Sequence, residues 1–301
     1  MWGLPVEILP GLGLPVQIAS VSVIIPCYRC AGTVERAVAS VANQTVRPAE
    51  LILVDDGSGD QTATLLLQLQ LLYGEDWVRV LILPYNLGVS AARNAGWESA
   101  SSDFVAFLDA DDCWHPEKIA IQYAWMSENP DVAVTGHGCI IVDPCGSLAL
   151  ERVQGAVAAR EILPKALLFS NPFVTPSFMM KQSLGHRFDP SRRYAEDFFL
   201  LQQVALDGLR IVKLDAPLVC VFKKLGVSGA SSNLWRMRCG DISNYWSLWQ
   251  EGKIGLVAAG SLAAFSLLKF AVLLVVGGKA HHFCANLLGI VLRRWGRKGN
   301  Q

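Results

Sequence analysis

Four short apolar runs, each closed by a turn and followed by a helical pattern, leave this 301-residue chain few architectures. The first is Val21–Ile25, stopped by Pro26. Gly32 and Thr33 then lead into Val34, Ala37, Val38 and Val41, a spacing that gives a helix one buried face. The second run, Leu51–Val54, precedes a helix over Gln61–Leu72, for which Asp60 can serve as cap. The third, Val78–Leu83, precedes a helix over about Ser90–Ser99 that carries Arg93. The fourth, Phe104–Leu108, is followed by a helix that Pro116 opens at its first turn. Strand and helix alternating at this interval imply right-handed crossovers and a parallel sheet. Continuous apolar runs imply strands covered on both faces.

The strands end in acid. Asp55 and Asp56 close the second run, followed by Gly57, Ser58 and Gly59, which permit a tight turn. Asp109, Asp111 and Asp112 close the fourth, three carboxylates within four positions. Carboxylates this close raise one another's pKa unless a cation shares the site. A hard divalent ion that keeps positions for phosphate oxygens is the natural partner, and strand ends of an open α/β sheet are where such folds bind ligands. The other reading is ordinary turn and helix-cap chemistry, and the cluster by itself leaves both open. The turn after the first strand lacks G-x-G-x-x-G, which argues against a dinucleotide dehydrogenase, and no G-x-x-x-x-G-K-[ST] marks a P-loop.

After Asn129 and Pro130 the pattern changes. Short strands are expected over Val132–Thr135 and Cys139–Val142, with a turn at 143–146. A helix over about Ala158–Phe169 and an extended segment Phe173–Met180 follow. The loop Phe188–Tyr194 is rich in Arg and runs into Glu196 and Asp197, an acidic pair in the first turn of a helix ending near Gly208. Such a pair favourably meets the helix dipole. Ile211–Leu214 and Leu218–Phe222 read as two further strands.

In order and separation, these segments resemble the family-2 glycosyltransferases, enzymes of the GT-A fold. The resemblance rests on Val21–Tyr28, Leu53–Ser58, Asn86–Asn94, Leu108–Trp114 and Phe188–Phe198, and covers roughly residues 20–224. It implies an α/β fold with a Rossmann-like, mostly parallel central sheet flanked by helices. It also implies a metal-dependent transfer of one sugar from a nucleotide-diphospho-sugar to an acceptor hydroxyl, with inversion. By similarity, Pro26, Tyr28, Asp55, Asp56, Arg93 and Asp109 would hold the donor nucleotide, Tyr28 by stacking on the base and Asp109 by facing the ribose. Asp111, with Asp109, would bind Mg²⁺ or Mn²⁺ bridging the two phosphates, and Asp112 would orient its neighbours. Asp197 would be the general base and Glu196 a positioning group. For Arg93 the residues alone offer a second reading, an ion pair with Glu98 or Asp103. Loops 171–177 and 187–194 would supply saccharide contacts. The processive synthases carry a Gln-x-x-Arg-Trp-type motif that Asn233–Arg238 does not reproduce, so single-sugar addition is expected. Lys223, Lys224, Arg236 and Arg238 are expected to close over the donor's diphosphate as a mobile flap. The runner-up readings are a nucleotidyltransferase of related fold and a nucleotide-sugar-binding protein without turnover.

Lys plus Arg and Asp plus Glu both total 26, so no global basic field draws in nucleic acid. Residues 1–19 form an N-terminal extension, broken by prolines and glycines and lacking the pattern of a secretory signal. The cytosolic side and reduced thiols are therefore expected, and Cys27 and Cys30 lack the second pair that a zinc site needs. The catalytic domain is expected over 20–232, with a donor half of about 20–130 and an acceptor half of 131–232. In the helical segment 233–301, Leu256–Gly277 holds one charge, Lys269. The stretch is long enough to span a bilayer, yet a central Lys is costly there. An anchor lying in the membrane surface, aided by basic residues from Lys279 to Lys298, is the preferred expectation, and a helix packed on the enzyme's own core the other. Membrane contact would suit a saccharide acceptor that is lipid-linked.

Overall fold

A computed structural model describes residues 17–142, 151–222 and 233–276, with backbone only over 273–276. Most of the N-terminal extension, the turn at 143–146, Lys223, Lys224 and the basic residues from Lys279 onward lie outside the described residues.

The first half follows the expected alternation: β1 (Ile18–Cys27), α1 (Val34–Ala42), β2 (Arg47–Asp55), α2 (Thr62–Tyr73), β3 (Val78–Ile82), α3 (Val89–Ser99) and β4 (Phe104–Phe107). These strands lie in the order β3-β2-β1-β4, all parallel. Side-chain alternation along each strand divides the core into two layers. Val21, Val23, Ile25, Leu51, Leu53 and Ala106 face α1 and α2, whereas Ile24, Ile52, Val54, Val105 and Phe107 face α3. Cys27 pairs with Asp55, and the Leu108 amide donates to Ile24 O at 3.1 Å. The acidic ends of β2 and β4 thus flank the end of β1.

The second half departs from the sequence expectations in four places. Cys113–Trp114 forms a short strand, β5, antiparallel to residues 219–220, and α4 starts only at Lys118 and ends at Glu128. Pro116 therefore precedes the helix. The two strands expected over 132–142 are one, β6 (Val132–Val142), with the interruption at Gly138 absorbed as register shifts. The helix expected over 158–169 is a strand, β7 (Ala159–Glu161), and a single turn, α5 (Pro164–Leu167). Pro164 can stand only in a helix's first turn and disfavours helical geometry in the residue before it, so residues 159–161 pair with the sheet instead. After a 3₁₀ turn at Thr175–Ser177 come β8 (Met179–Lys181), α6 (Glu196–Leu206) and β9 (Arg210–Phe222). β9 runs unbroken through Pro217, which sits opposite Gly138 at an irregularity. β8 is antiparallel to both β4 and β6, and β6 runs parallel to β9. The sheet is parallel on the β3–β4 side and mixed beyond it.

Two helices complete the described chain, α7 (Leu234–Gln250) and α8 (Leu256–Val276). α8 buries Ala259, Leu262 and Ser266 and exposes Leu256, Val257, Leu267 and Leu268. Ser266 donates to Asp241 at 3.0 Å and Lys269 Nζ to Phe169 O at 2.9 Å. Ser266 and Lys269 thus face the protein beside Ala259 and Leu262, and a row of apolar side chains faces outward. Among the described residues no helix is long and apolar enough to cross a membrane.

Two neighbouring glycines after β2 test what shapes the acidic turn. Both have left-handed backbone, Gly57 at φ +62° and Gly59 at φ +66°. A Cβ on Gly57 would lie 2.4 Å from the Tyr85 carbonyl carbon, whereas one on Gly59 meets nothing. Gly59→Ala is expected to cost about 1–2 kcal/mol, the left-handed penalty alone. Gly57→Ala must also displace the Tyr85–Asn86 backbone, and is expected to lower the urea-unfolding free energy by at least ~2 kcal/mol more. Equal losses would mean that the turn does not pack against Tyr85.

Candidate active site

Arg93 lies at the centre of the candidate site. Its position on α3 turns it inward, and the side chain is only 4% exposed. Nη2 donates to Asp109 Oδ1 at 2.8 Å and Nη1 to Glu196 Oε1 at 3.0 Å. The alternative pairing, with Glu98 or Asp103, is not the one adopted. Burial acts to lower the guanidinium pKa, but the charges of Asp109 and Glu196 outweigh it and raise the pKa. One cation therefore joins the end of β4 to the start of α6.

Asp197 follows Glu196 on that first helical turn. Its Oδ2 accepts from Asn171 Nδ2 and Thr175 Oγ1, both at 3.1 Å, and its Oδ1 from the Phe198 amide at 2.7 Å. Burial pushes its pKa up to about 6, the Glu196 carboxylate adds to the rise, and Arg93 and the donated hydrogen bonds oppose it. A carboxyl in this condition can hold or release a proton near neutrality. The turn that presents it depends on Ala195 at φ +56°, a left-handed position uncommon for a residue with a Cβ. α7 braces that turn: Asn244 donates to Ala195 O at 2.9 Å, and Gly240 is so close that a Cβ there would lie 2.8 Å from Tyr194 O.

Across the sheet ends, Pro26 is half-buried at the end of β1 and Tyr28 is 45% exposed, with the Arg29 guanidinium 5.3 Å from its ring centre. Asp55 and Asp56 are buried. Asp55 accepts from the Ser58 hydroxyl and amide, and Asp56 from the amides of Leu87 and Gly88 at 2.7 and 2.9 Å. Both carboxylates thus shape backbone: Asp55 holds its own turn, and Asp56 ties that turn to the loop entering α3. Of the residues expected to hold the donor, Tyr28 presents an accessible face.

On the acidic turn after β4, Asp112 is buried and accepts from the Phe222 amide at 3.1 Å, fastening the end of β9. Asp111 is exposed, its carbonyl accepting from Arg36, and the Asp109 side chain is 32% exposed. Among the described residues no group of three or more His, Cys, Asp or Glu comes together around a metal. The two hard oxygen donors on this open turn fit Mg²⁺ or Mn²⁺ only if a ligand supplies further oxygens.

Arg93, Asp109, Glu196 and Asp197 therefore converge, and the Tyr28 and Asp56 turns lie beside them through the pairing of β1 with β2 and β4. Asn171 and Thr175, expected only within a saccharide-contacting loop, bond Asp197 itself. Their spacing from Asp197 carries no readable motif. Phe173 explains how the loop is seated, because its ring packs on Gly136 of β6.

Residues 22–182, just over half of the chain, match the family model described as Glycosyl transferase family 2. The chain is 27% identical over 264 residues to Escherichia coli WfgD, described as a UDP-Glc:alpha-D-GlcNAc-diphosphoundecaprenol beta-1,3-glucosyltransferase, and spans 95% of that protein with 87% of its own length. It is 39% identical over 108 residues to Bacillus subtilis TuaG, a putative teichuronic acid biosynthesis glycosyltransferase, covering 36% of this chain and 42% of that one. Among solved structures, S. aureus TarS 1-349 in complex with UDP aligns with a TM-score of 0.59 at 21% identity, covering 87% of this chain and 74% of that one. The mannosyltransferase PcManGT of Pyrobaculum calidifontis, in complex with GDP-Man and Mn²⁺, aligns with a TM-score of 0.58 at 18% identity, covering 93% and 84%. At those identities the structures share the fold with this chain. The four parallel strands, two of them with acidic ends, extended by a mixed half that brings Glu196 and Asp197 back to them, form a GT-A fold, and the chain belongs to glycosyltransferase family 2.

Proposed function

We propose that this protein transfers a single sugar from a nucleotide-diphospho-sugar to an acceptor hydroxyl, with inversion at the anomeric carbon. The observation that carries the reading is the state of Asp197, a carboxyl with its pKa at about 6 and two side-chain donors on one oxygen, beside the Arg93–Asp109 pair. Asp197 takes the proton of the acceptor hydroxyl while that oxygen bonds to the anomeric carbon. The bond from that carbon to the diphosphate breaks, and its electron pair leaves with the nucleoside diphosphate. Glu196, tied to Arg93, keeps the helix start in place. Tyr28 stacks on the base, Pro26 lies in the last two residues of β1 just ahead of it, and Asp55 and Asp56 hold the turns that border the nucleotide. Asp109 and Asp111 would hold Mg²⁺ or Mn²⁺, whose chemistry when bound is to neutralise charge on the departing diphosphate.

The likeness to WfgD, whose acceptor is diphospholipid-linked, and to TuaG supports a lipid-linked saccharide acceptor and a role in cell-surface polysaccharide synthesis. The outward apolar face of α8 supports work at the cytosolic membrane surface. A nucleotidyltransferase would want a glycine-rich, basic loop after β1, and Pro26–Cys30 is not one.

Asp197→Asn is expected to lower kcat for transfer by about 10²–10⁴, with donor binding preserved in a thermal-shift titration. A variant that keeps full turnover would remove Asp197 from the role of base. Should the wild type bind donors and neither transfer nor hydrolyse any of them, the chain is a binding protein.

Because the base must be deprotonated, log kcat/KM is expected to rise with pH through about 6 and level off above it. Thr175→Val removes a hydrogen bond to the charged form, so the folded pKa rises and the acidic limb should move up by about one unit. Thr175→Ser should restore it.

Chelation with EDTA and the Asp111→Asn substitution should each suppress turnover at least tenfold. Added Mn²⁺ should rescue the chelated wild type and leave Asp111→Asn impaired. An EDTA-resistant wild type would rule out a dissociable metal at that turn.

A further inference from the structure

An open cleft of about 450 Å³ lies between the Arg-bearing loop ahead of α6 and the face of α7 from Arg236 to Ser247. The guanidinium groups of Arg192, Arg193 and Arg236 line it against one carboxylate, Asp189. Arg192 is committed to structure. It donates to Asp189 at 2.9 Å, to Asn244 at 2.8 Å and to Ser247 at 2.5 Å, bracing the loop on α7. Its charge cancels that of Asp189. Arg193 and Arg236 remain as two exposed cations, and Arg236 Nη1 donates to the Tyr194 hydroxyl at 3.0 Å. Arg238, two residues on, is turned to Asp241 at 2.7 Å and is not part of the set.

Two forked cations over a hydroxyl-lined floor are suited to a phosphate or diphosphate, because each guanidinium can hold two oxygens. The cleft also adjoins an apolar surface. Trp235, next to Arg236, is 52% exposed and its ring meets Phe270 of α8 at 5.3 Å. The exposed Leu267 and Leu268 lie one turn or less from Phe270 on that helix. Tyr194, on the cleft wall, stands three residues before Asp197.

We propose that this cleft binds the diphosphate of an amphipathic acceptor, Arg193 and Arg236 holding its oxygens while its apolar tail lies against Trp235 and α8. The inference rests on the reading of the protein as a transferase with a lipid-linked acceptor. It sets the acceptor's diphosphate apart from the donor's, which belongs at the Asp109–Asp111 turn.

Cys239 is a free, exposed thiol on the cleft wall and reports occupancy directly. Its alkylation by iodoacetamide, followed by peptide mapping without added metal, is expected to slow at least fivefold with millimolar inorganic pyrophosphate. Geranyl diphosphate should protect at least tenfold lower concentration, and UDP should not protect. Arg193→Gln combined with Arg236→Gln should abolish protection while leaving the melting temperature and the UDP-induced thermal shift unchanged. In transfer assays with a polyprenyl-diphospho-sugar acceptor, the same variant should raise acceptor KM at least tenfold and leave donor KM within twofold.

Absent protection, or protection that survives the double substitution, overturns the proposal. Protection by UDP as strong as by pyrophosphate assigns the cleft to the donor and overturns it too, and equal potency of pyrophosphate and geranyl diphosphate removes the lipid. A fully active Asp197→Asn would instead defeat the catalytic reading and leave the protection result standing.

Discussion

The buried Arg93 guanidinium is the interaction on which the two halves of this protein depend. It sits where β4 delivers Asp109 and α6 delivers Glu196, residues from sequence segments with no local reason to meet. A cation buried there needs its carboxylates, since stripping one partner from such a pair typically costs about 3–5 kcal/mol. Three acidic side chains surround this one arginine, because Asp197 also feels its charge. Arg93 bonds two of them. The third keeps a pKa near neutrality. Burial and the Glu196 carboxylate raise that pKa, and the charge of Arg93 limits the rise.

Around this centre, packing provides precision. The alternation along β1, β2 and β4 loads both faces of the sheet, with α1 and α2 on one side and α3 and α6 on the other. Strands fixed on both faces cannot slip register without exposing half of their apolar side chains. Their ends, where Tyr28, Asp56 and Asp109 stand, are therefore held in place by the core. The loop that bonds Asp197 is seated by the same means: Gln122 donates to Ser177 O at 3.0 Å and the Trp114 indole to Pro176 O at 2.8 Å, both buried. Thr175 reaches Asp197 from a turn anchored in the sheet-side core.

The C-terminal helices have two roles in the architecture. α7 fixes the left-handed Ala195 that turns the chain into α6, and α8 packs Ser266 and Lys269 on α7 and residue 169. α8 turns Ser266 and the half-buried Lys269 inward beside Ala259 and Leu262 while it shows Leu256, Val257 and Leu268 to solvent, an unusual amount of apolar surface for an exposed helix face.

The sequence alone determined the donor half, because there each strand is a continuous apolar run and each connection is local, so period and turn chemistry agree. It also singled out Asp109, Glu196 and Asp197, which the folded chain brings together around Arg93. It could not show that Asp55 and Asp56 are consumed by backbone amides, nor that Arg93 bypasses the nearby Glu98 and Asp103, because such choices depend on which way a helix faces once the sheet has formed. Proline and glycine made β6 and β9 look broken, whereas ten paired positions in the folded sheet carry the irregularities. Asn171 and Thr175 became part of the site only through tertiary structure. Hydrogen bonds spanning 26 and 22 residues leave no periodic trace in a chain and exist only once packing has brought the two segments together.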